Sequence, residues 1–97
     1  MSGFHTAAMD RLYQAIAGLQ TPEECRRFFE DICTIKELVD MSQRLEVATL
    51  LQQGKNYQEI SAQTGVSTAT ISRVNKCLQY GNDGYQMVLG RLEEENA

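Results

Sequence analysis

An all-α fold of six helices, the fourth and fifth forming a helix-turn-helix, is what this chain of 97 residues predicts. Apolar residues recur at helical spacing along most of the chain, and no stretch alternates with the period of a strand. Helix-start signals interrupt the pattern at Thr21-Pro22-Glu23-Glu24 and again at Thr34-Ile35-Lys36-Glu37. The segment 57–80, YQEISAQTGVSTATISRVNKCLQY, then runs one short helical pattern into a glycine and opens a second at Ser67-Thr68-Ala69-Thr70.

Phe4, Ala8, Leu12, Ala15, Ile16 and Leu19 describe a first amphipathic helix over about 4–19, ended near Gly18. Thr21 is an N-cap, Pro22 occupies the first helical position and Glu24 closes a capping box. The second helix presents Phe28, Phe29, Ile32 and Cys33. A further capping box at Thr34–Glu37 opens a long third helix to about Gln53, with Leu38, Met41, Leu45, Ala48 and Leu51 on its inner side and Gly54 as its stop. Asn82-Asp83-Gly84 separates the fifth helix from a sixth, Tyr85 to about Glu94, carrying Met87, Val88 and Leu92.

The helix-turn-helix carries the functional information. Gly65 stands where the first of its helices must end and the chain reverse, a left-handed position that costs glycine least. Ile71, Val74 and Leu78 form one stripe of the following helix, and with Ile60 and Val66 they can clamp the pair at a fixed angle. Ser67 is a good N-cap for a helix over 68–79. Thr64 departs from the pattern, standing where an apolar residue is usual, so the first helix should be held less firmly there. The face opposite the clamp carries Thr68, Ala69, Ser72, Arg73 and Lys76. Small residues at a helix start followed by cations suit entry into a DNA major groove. Ser67, Thr68, Ala69, Ser72 and Arg73 are expected to face bases, with Thr70 completing the set. Tyr57, Gln58 and Lys76 are expected to face phosphates.

Composition bounds the alternatives. The net charge of −4 speaks against nucleic acid if taken globally, but the field of each charge is confined to about a Debye length. Within 52–80, Lys55, Arg73 and Lys76 face Glu59 alone, while the acid concentrates at Glu23, Glu24, Glu30, Asp31 and Glu93-Glu94-Glu95. No run approaches the roughly 18–20 apolar residues of a membrane span, and the N-terminus lacks a signal-peptide pattern, so a cytoplasmic protein is expected. The three cysteines, Cys25, Cys33 and Cys77, read as small buried hydrophobes. Cys25 and Cys33 lie about 12 Å apart if they share one helix, too far for a disulfide. With a single histidine, His5, and no C-x-x-C, neither a metal nor another cofactor is implied. Tyr80 and Tyr85, flanking a turn, are read as packing residues. No nucleophile with a base, carboxylate pair or phosphate loop suggests an enzyme.

A single domain over 1–97 is expected, with dimerisation helices over 4–53 and 82–95 and the helix-turn-helix over 56–79. Phe4, Leu12, Tyr13, Phe28 and Phe29 amount to more apolar surface than one small copy can hide. A homodimer would cover it and set two recognition helices one DNA turn apart.

In the blocks CRRFFEDICTIKEL (25–38), MSQRLEVATLL (41–51) and TGVSTATISRVNKCLQYGNDGY (64–85), the chain resembles the Trp-repressor superfamily, most closely its Trp-repressor-related YerC/YecD-type members. The resemblance covers nearly the whole chain. It implies an intertwined, all-helical homodimer whose helix-turn-helix units read a palindromic operator in double-stranded DNA. It also implies an effector pocket. Arg44 and Arg73 match the arginines that sandwich the indole in tryptophan-binding members, and Thr34 matches a threonine that helps seat the ligand. Two positions depart from that pattern. A glycine of the tryptophan binders is Val74 here, and a small serine is Cys77. A branched side chain at 74 fills the space where an indole would approach the backbone, which argues against tryptophan as co-repressor; another small-molecule effector, or none, remains open. Arg73 then either contacts DNA or packs over an internal site, and Arg44 either stacks on a ligand or pairs with Asp40 or Glu37. The function expected is a sequence-specific DNA-binding transcriptional regulator, a repressor. The competing expectation is a helical adaptor that binds proteins without reading DNA.

Overall fold

The computed structural model describes residues 5–96, and its regular structure is helical throughout. Six helices follow in order among the described residues: α1 Ala7–Ala17, α2 Pro22–Ile32, α3 Ile35–Gln52, α4 Tyr57–Thr64, α5 Thr68–Tyr80 and α6 Gly84–Asn96. Phe4, taken as the start of the first helix, lies outside the described residues. The helix begins at Ala7, where Thr6 Oγ1 accepts from the Met9 N–H at 3.1 Å.

Local chemistry sets the helix ends. Thr21 Oγ1 accepts from the Glu24 N–H at 3.1 Å, but the Glu24 carboxylate accepts from Gln20 N–H at 2.9 Å, one residue outside the cap. The box expected there is therefore only half closed. At α3 it is complete: Thr34 Oγ1 accepts from Glu37 N–H at 3.1 Å and Thr34 N–H donates to Glu37 Oε1 at 2.8 Å. Gly54, at φ +86°, ends α3. Its N–H donates to the Leu51 carbonyl and that of Lys55 to the Leu50 carbonyl, the paired bonds of a Schellman motif.

The chain divides into two compact units, one through Leu38 and one from Val39 onward. In the first, no residue of α1 or α2 is buried. Phe28 and Phe29 meet edge to face with ring centroids 5.6 Å apart, and Tyr13, Ile32 and Ile35 stand exposed. Arg26 is paired with Glu23 and Glu30 on the surface of α2, and His5 with Asp10 beside α1, so the lone histidine has a partner.

The second unit holds a core. Val47, Ala48 and Leu50 of α3 meet Ile60 of α4, Val66 of the turn, Ile71 and Val74 of α5, and Leu89 of α6. Leu45, Leu51, Tyr57 and Tyr85 pack around them. Of the stripe expected on α3, only Ala48 is fully buried; the core takes Val47 and Leu50 instead. That helix is apolar on more than one side, so its period leaves the inward side undetermined. The same holds for α6, where Met87, Val88 and Leu92 are exposed and Leu89 is the buried residue. Tyr80 does not pack as expected: it is 81% exposed, whereas Tyr85 is half-buried. Cys25 and Cys33 are half-buried, but Cys77 is exposed, which corrects its reading as a buried hydrophobe. It lies one turn beyond Arg73, off the Ile71–Val74–Leu78 stripe.

Gly65 reverses the chain between α4 and α5 with φ +76°, and its N–H donates to Ser61 O at 2.8 Å. Nothing lies within 4 Å of a methyl added there, so an alanine would meet only backbone strain. Gly65→Ala should cost about 1–2 kcal/mol by the left-handed penalty, and Gly65→Asn distinctly less. Urea unfolding midpoints at matched protein concentration measure both.

Candidate nucleic-acid interface

The site is built on α4, the turn and α5. Asn56 starts α4 with a complete capping box: its Oδ1 accepts from Glu59 N–H at 2.8 Å, and its own N–H donates to Glu59 Oε1 at 2.9 Å. This holds the only acidic side chain of the region against a backbone amide. The signal, Asn three residues before Glu, is present in the sequence, where Glu59 reads only as a charge and Asn56 as no cap.

At the other end of α4, Thr64 proves to be a tie. Its hydroxyl donates to the Ile60 carbonyl at 2.7 Å and accepts from Val66 N–H at 3.1 Å. The loosening expected from a polar residue at this position is offset by a bond that satisfies a half-buried amide of the turn. Ser67 Oγ caps α5 by accepting from Thr70 N–H at 3.2 Å, and it also donates to Thr70 Oγ1 at 3.2 Å.

Ile60, Val66, Ile71, Val74 and Leu78 are all buried, as the clamp requires. The helical period then carries Thr68, Ala69, Ser72, Arg73 and Lys76 to the outer face of α5, and all of them are exposed. Gln58 on α4 is exposed as well. Ser67 and Thr70 differ from the rest of the expected base-facing set, because their hydroxyls are engaged with each other and Thr70 is half-buried. Tyr57 is also half-buried; its ring packs on the core and its Oη accepts from Asn75 Nδ2 at 3.1 Å. Asn75, which makes that bond, and Gln79, whose Nε2 donates to Asn75 Oδ1 at 3.2 Å, escaped sequence reasoning. A link between residues 18 apart leaves no local signature.

Each residue of the expected effector pocket is described on its own element. Arg73 and Cys77, one turn apart on α5, are both exposed, and so is Arg44 on α3. Thr34 belongs to the other compact unit, where its hydroxyl is the N-cap of α3. Val74 is 3% exposed within the core, so its side chain occupies interior space. Among the described residues no cluster of His, Cys, Asp and Glu is placed to hold a metal, and no helix is long and apolar enough to cross a membrane.

These features define a small all-helical protein with a helix-turn-helix fourth and fifth in its helix order. The family is shown by comparison: the model of the Trp repressor protein family matches residues 7–93, and the chain belongs to that family. The uncharacterized protein YerC of Bacillus subtilis (strain 168) is 54% identical over 86 residues, spanning 89% of this chain and 83% of that one. A TrpR-like protein of Eubacterium eligens superposes with a TM-score of 0.86 at 52% identity, over 91% of each chain. A Staphylococcus aureus structure superposes with a TM-score of 0.87 at 49% identity, over 92% of this chain and 89% of that one. At the level of the family, this is a fold of DNA-binding regulators and not an enzyme family.

Thr64→Val, which puts the usual apolar residue before the glycine, should destabilise the protein by about 1–3 kcal/mol because the Val66 amide loses its partner. Thr64→Ser should retain most of the stability. Thermal melts of the two variants beside the parent check this.

Proposed function

We propose that the protein is a sequence-specific transcriptional repressor that works in the cytoplasm by occupying operator DNA, with α5 in the major groove. The observation that carries this reading is the division of α5: Ile71, Val74 and Leu78 are buried, while Thr68, Ala69, Ser72, Arg73 and Lys76 are all exposed. A helix anchored along one side and studded with short polar and cationic residues on the other can lie close to a duplex. Thr68, Ala69, Ser72 and Arg73 read base edges, Arg73 being suited to a bidentate bond with guanine. Ser67 and Thr70, bonded to each other, shape the helix start and so set the aim of the residues that follow. Gln58, Lys76 and Tyr57 hold phosphates.

The active species is a homodimer. Support comes from the large apolar side chains that one copy leaves uncovered, among them Tyr13, Ile35, Met87 and Val88. Large apolar side chains left exposed on a helix are suited to burial against a partner. Two-fold symmetry would then present two α5 helices to a palindromic site.

The features at Val74 and Cys77 argue against tryptophan as the co-repressor. Val74 is interior and stands where tryptophan-binding relatives have glycine, and the exposed Cys77 replaces a small serine beside it. An effector of another shape that uses Arg44 and Arg73 remains compatible with this reading. A second function, as a helical adaptor for another protein, is favoured by the net charge of −4 and the same uncovered apolar residues. Selection from a random DNA pool separates the two: reproducible enrichment of a palindrome supports the repressor, and its absence supports the adaptor.

On a selected operator, Arg73→Ala should abolish specific retention while circular dichroism stays that of the parent. Lys76→Ala should flatten the slope of log K against log salt by about 0.9 if it holds one phosphate. Tryptophan added to the binding reaction should leave operator affinity unchanged in a titration by fluorescence anisotropy.

A further inference from the structure

Asn75 reaches from α5 to α4 across 18 residues of sequence, its Nδ2 donating to Tyr57 Oη at 3.1 Å. The same side chain accepts at Oδ1 from Gln79 Nε2 at 3.2 Å. The three groups form a chain with one direction: Gln79 gives to Asn75, and Asn75 gives to Tyr57. A phenol that accepts from an amide keeps its own hydrogen to donate elsewhere, and successive bonds of this kind polarise one another. Tyr57 is the first residue of α4, beside the exposed Gln58, and its ring is fixed against the core. Its oxygen can therefore move little, and the direction of its hydrogen is set by which group of Asn75 faces it.

Resting on the DNA-binding reading above, we propose that Asn75 is a positioning residue for backbone contact. By donating to Tyr57 Oη it reserves the phenolic hydrogen for a phosphate oxygen of the duplex. A phosphate oxygen only accepts, so a tyrosine whose hydrogen pointed into the protein would meet it with a lone pair. Asn75 touches no DNA itself. It ties the angle between the two helices to the polarity of the contact, so that the residue fixing the reader also prepares the clamp.

The test uses the full-length protein and the operator selected from a random pool. Tyr57→Phe removes one oxygen, leaves the ring in the core, and should weaken operator binding about tenfold or more, the scale of a hydrogen bond to a charged group. Its salt slope should match that of the parent, because a neutral donor releases no counterion. Asn75→Asp places an acceptor on both sides of the side chain and turns the tyrosine hydrogen inward. It should weaken binding more in the parent than in the Tyr57→Phe background, where only the added charge acts. Asn75→Ala should lose less than Asn75→Asp, since it frees the hydroxyl without reversing it. Melting temperatures measured alongside separate a purely structural role, in which stability falls and the losses in binding are additive. Equal affinity of Tyr57→Phe and parent, or additive losses across the pair, would overturn the assignment while leaving the DNA-binding reading intact. A parent that enriches no sequence from the pool would overturn that reading, and this proposal with it.

Discussion

Packing of Ile71 and Val74 against Ile60, across a turn closed by a left-handed glycine, is the contact on which the candidate interface depends. α4 has only eight residues, too few to be stable alone, so its helicity is maintained by burying Ile60 and by the bonds at its two ends. Those ends are handled by Asn56 with Glu59 and by Thr64 with Val66. Once α4 is held, α5 has a single side to bury and therefore a single side to present. Recognition chemistry follows from this constraint, because a residue on α5 is outward only when its neighbours at helical spacing are locked inward.

Val74 links core packing to the proposed independence from tryptophan. The same β-branched side chain that fills the core occupies the position where relatives with a tryptophan switch have glycine. On the proposed function, filling this space exchanges a ligand-dependent reader for a permanently positioned one. The acidic balance of the chain is compatible with that, since the Glu59 carboxylate is bound to an amide and the cations Lys55, just before the helix-turn-helix, and Arg73 and Lys76, on it, are exposed. Outside it, the acidic side chains lower general attraction to nucleic acid.

Much of this architecture is encoded at short range. Caps at Thr21, Thr34 and Ser67 act within one turn, and a left-handed Gly65 is demanded by a reversal of a few residues. The clamp from Ile60 to Leu78 is visible because α5 has one narrow apolar stripe. What escaped is non-local. α3 and α6 each have more than one apolar side, so the choice of Val47, Leu50 and Leu89 depends on which neighbours arrive. The bond between Tyr57 and Asn75 needs both helices in place before it exists. Thr64 illustrates a different gap: a hydroxyl that looks out of pattern by hydrophobicity is in pattern once the amide beside it is counted. At the interface, the residues expected to face DNA are exposed except Thr70 and Tyr57, which are half-buried, and the hydroxyls of Ser67, Thr70 and Tyr57 have partners within the protein.

The end of α5 is secured by the next helix. Gln86 on α6 donates through Nε2 to the Leu78 carbonyl at 2.9 Å, and Leu89, one turn further on, enters the same core as Ile71 and Val74. Gly81 leaves no room for a larger residue at this junction, because a Cβ there would collide with the Cys77 carbonyl. The reading head is therefore not a cassette that ends where its recognition helix ends. Swapping the specificity of this protein with that of a relative by exchanging α4 and α5 alone would cut through a hydrogen bond and a hydrophobic contact. If α5 reads DNA as proposed, an exchange that preserves the aim of the helix has to carry the chain from Asn56 through Leu89, so the sixth helix belongs to the unit that sets that aim.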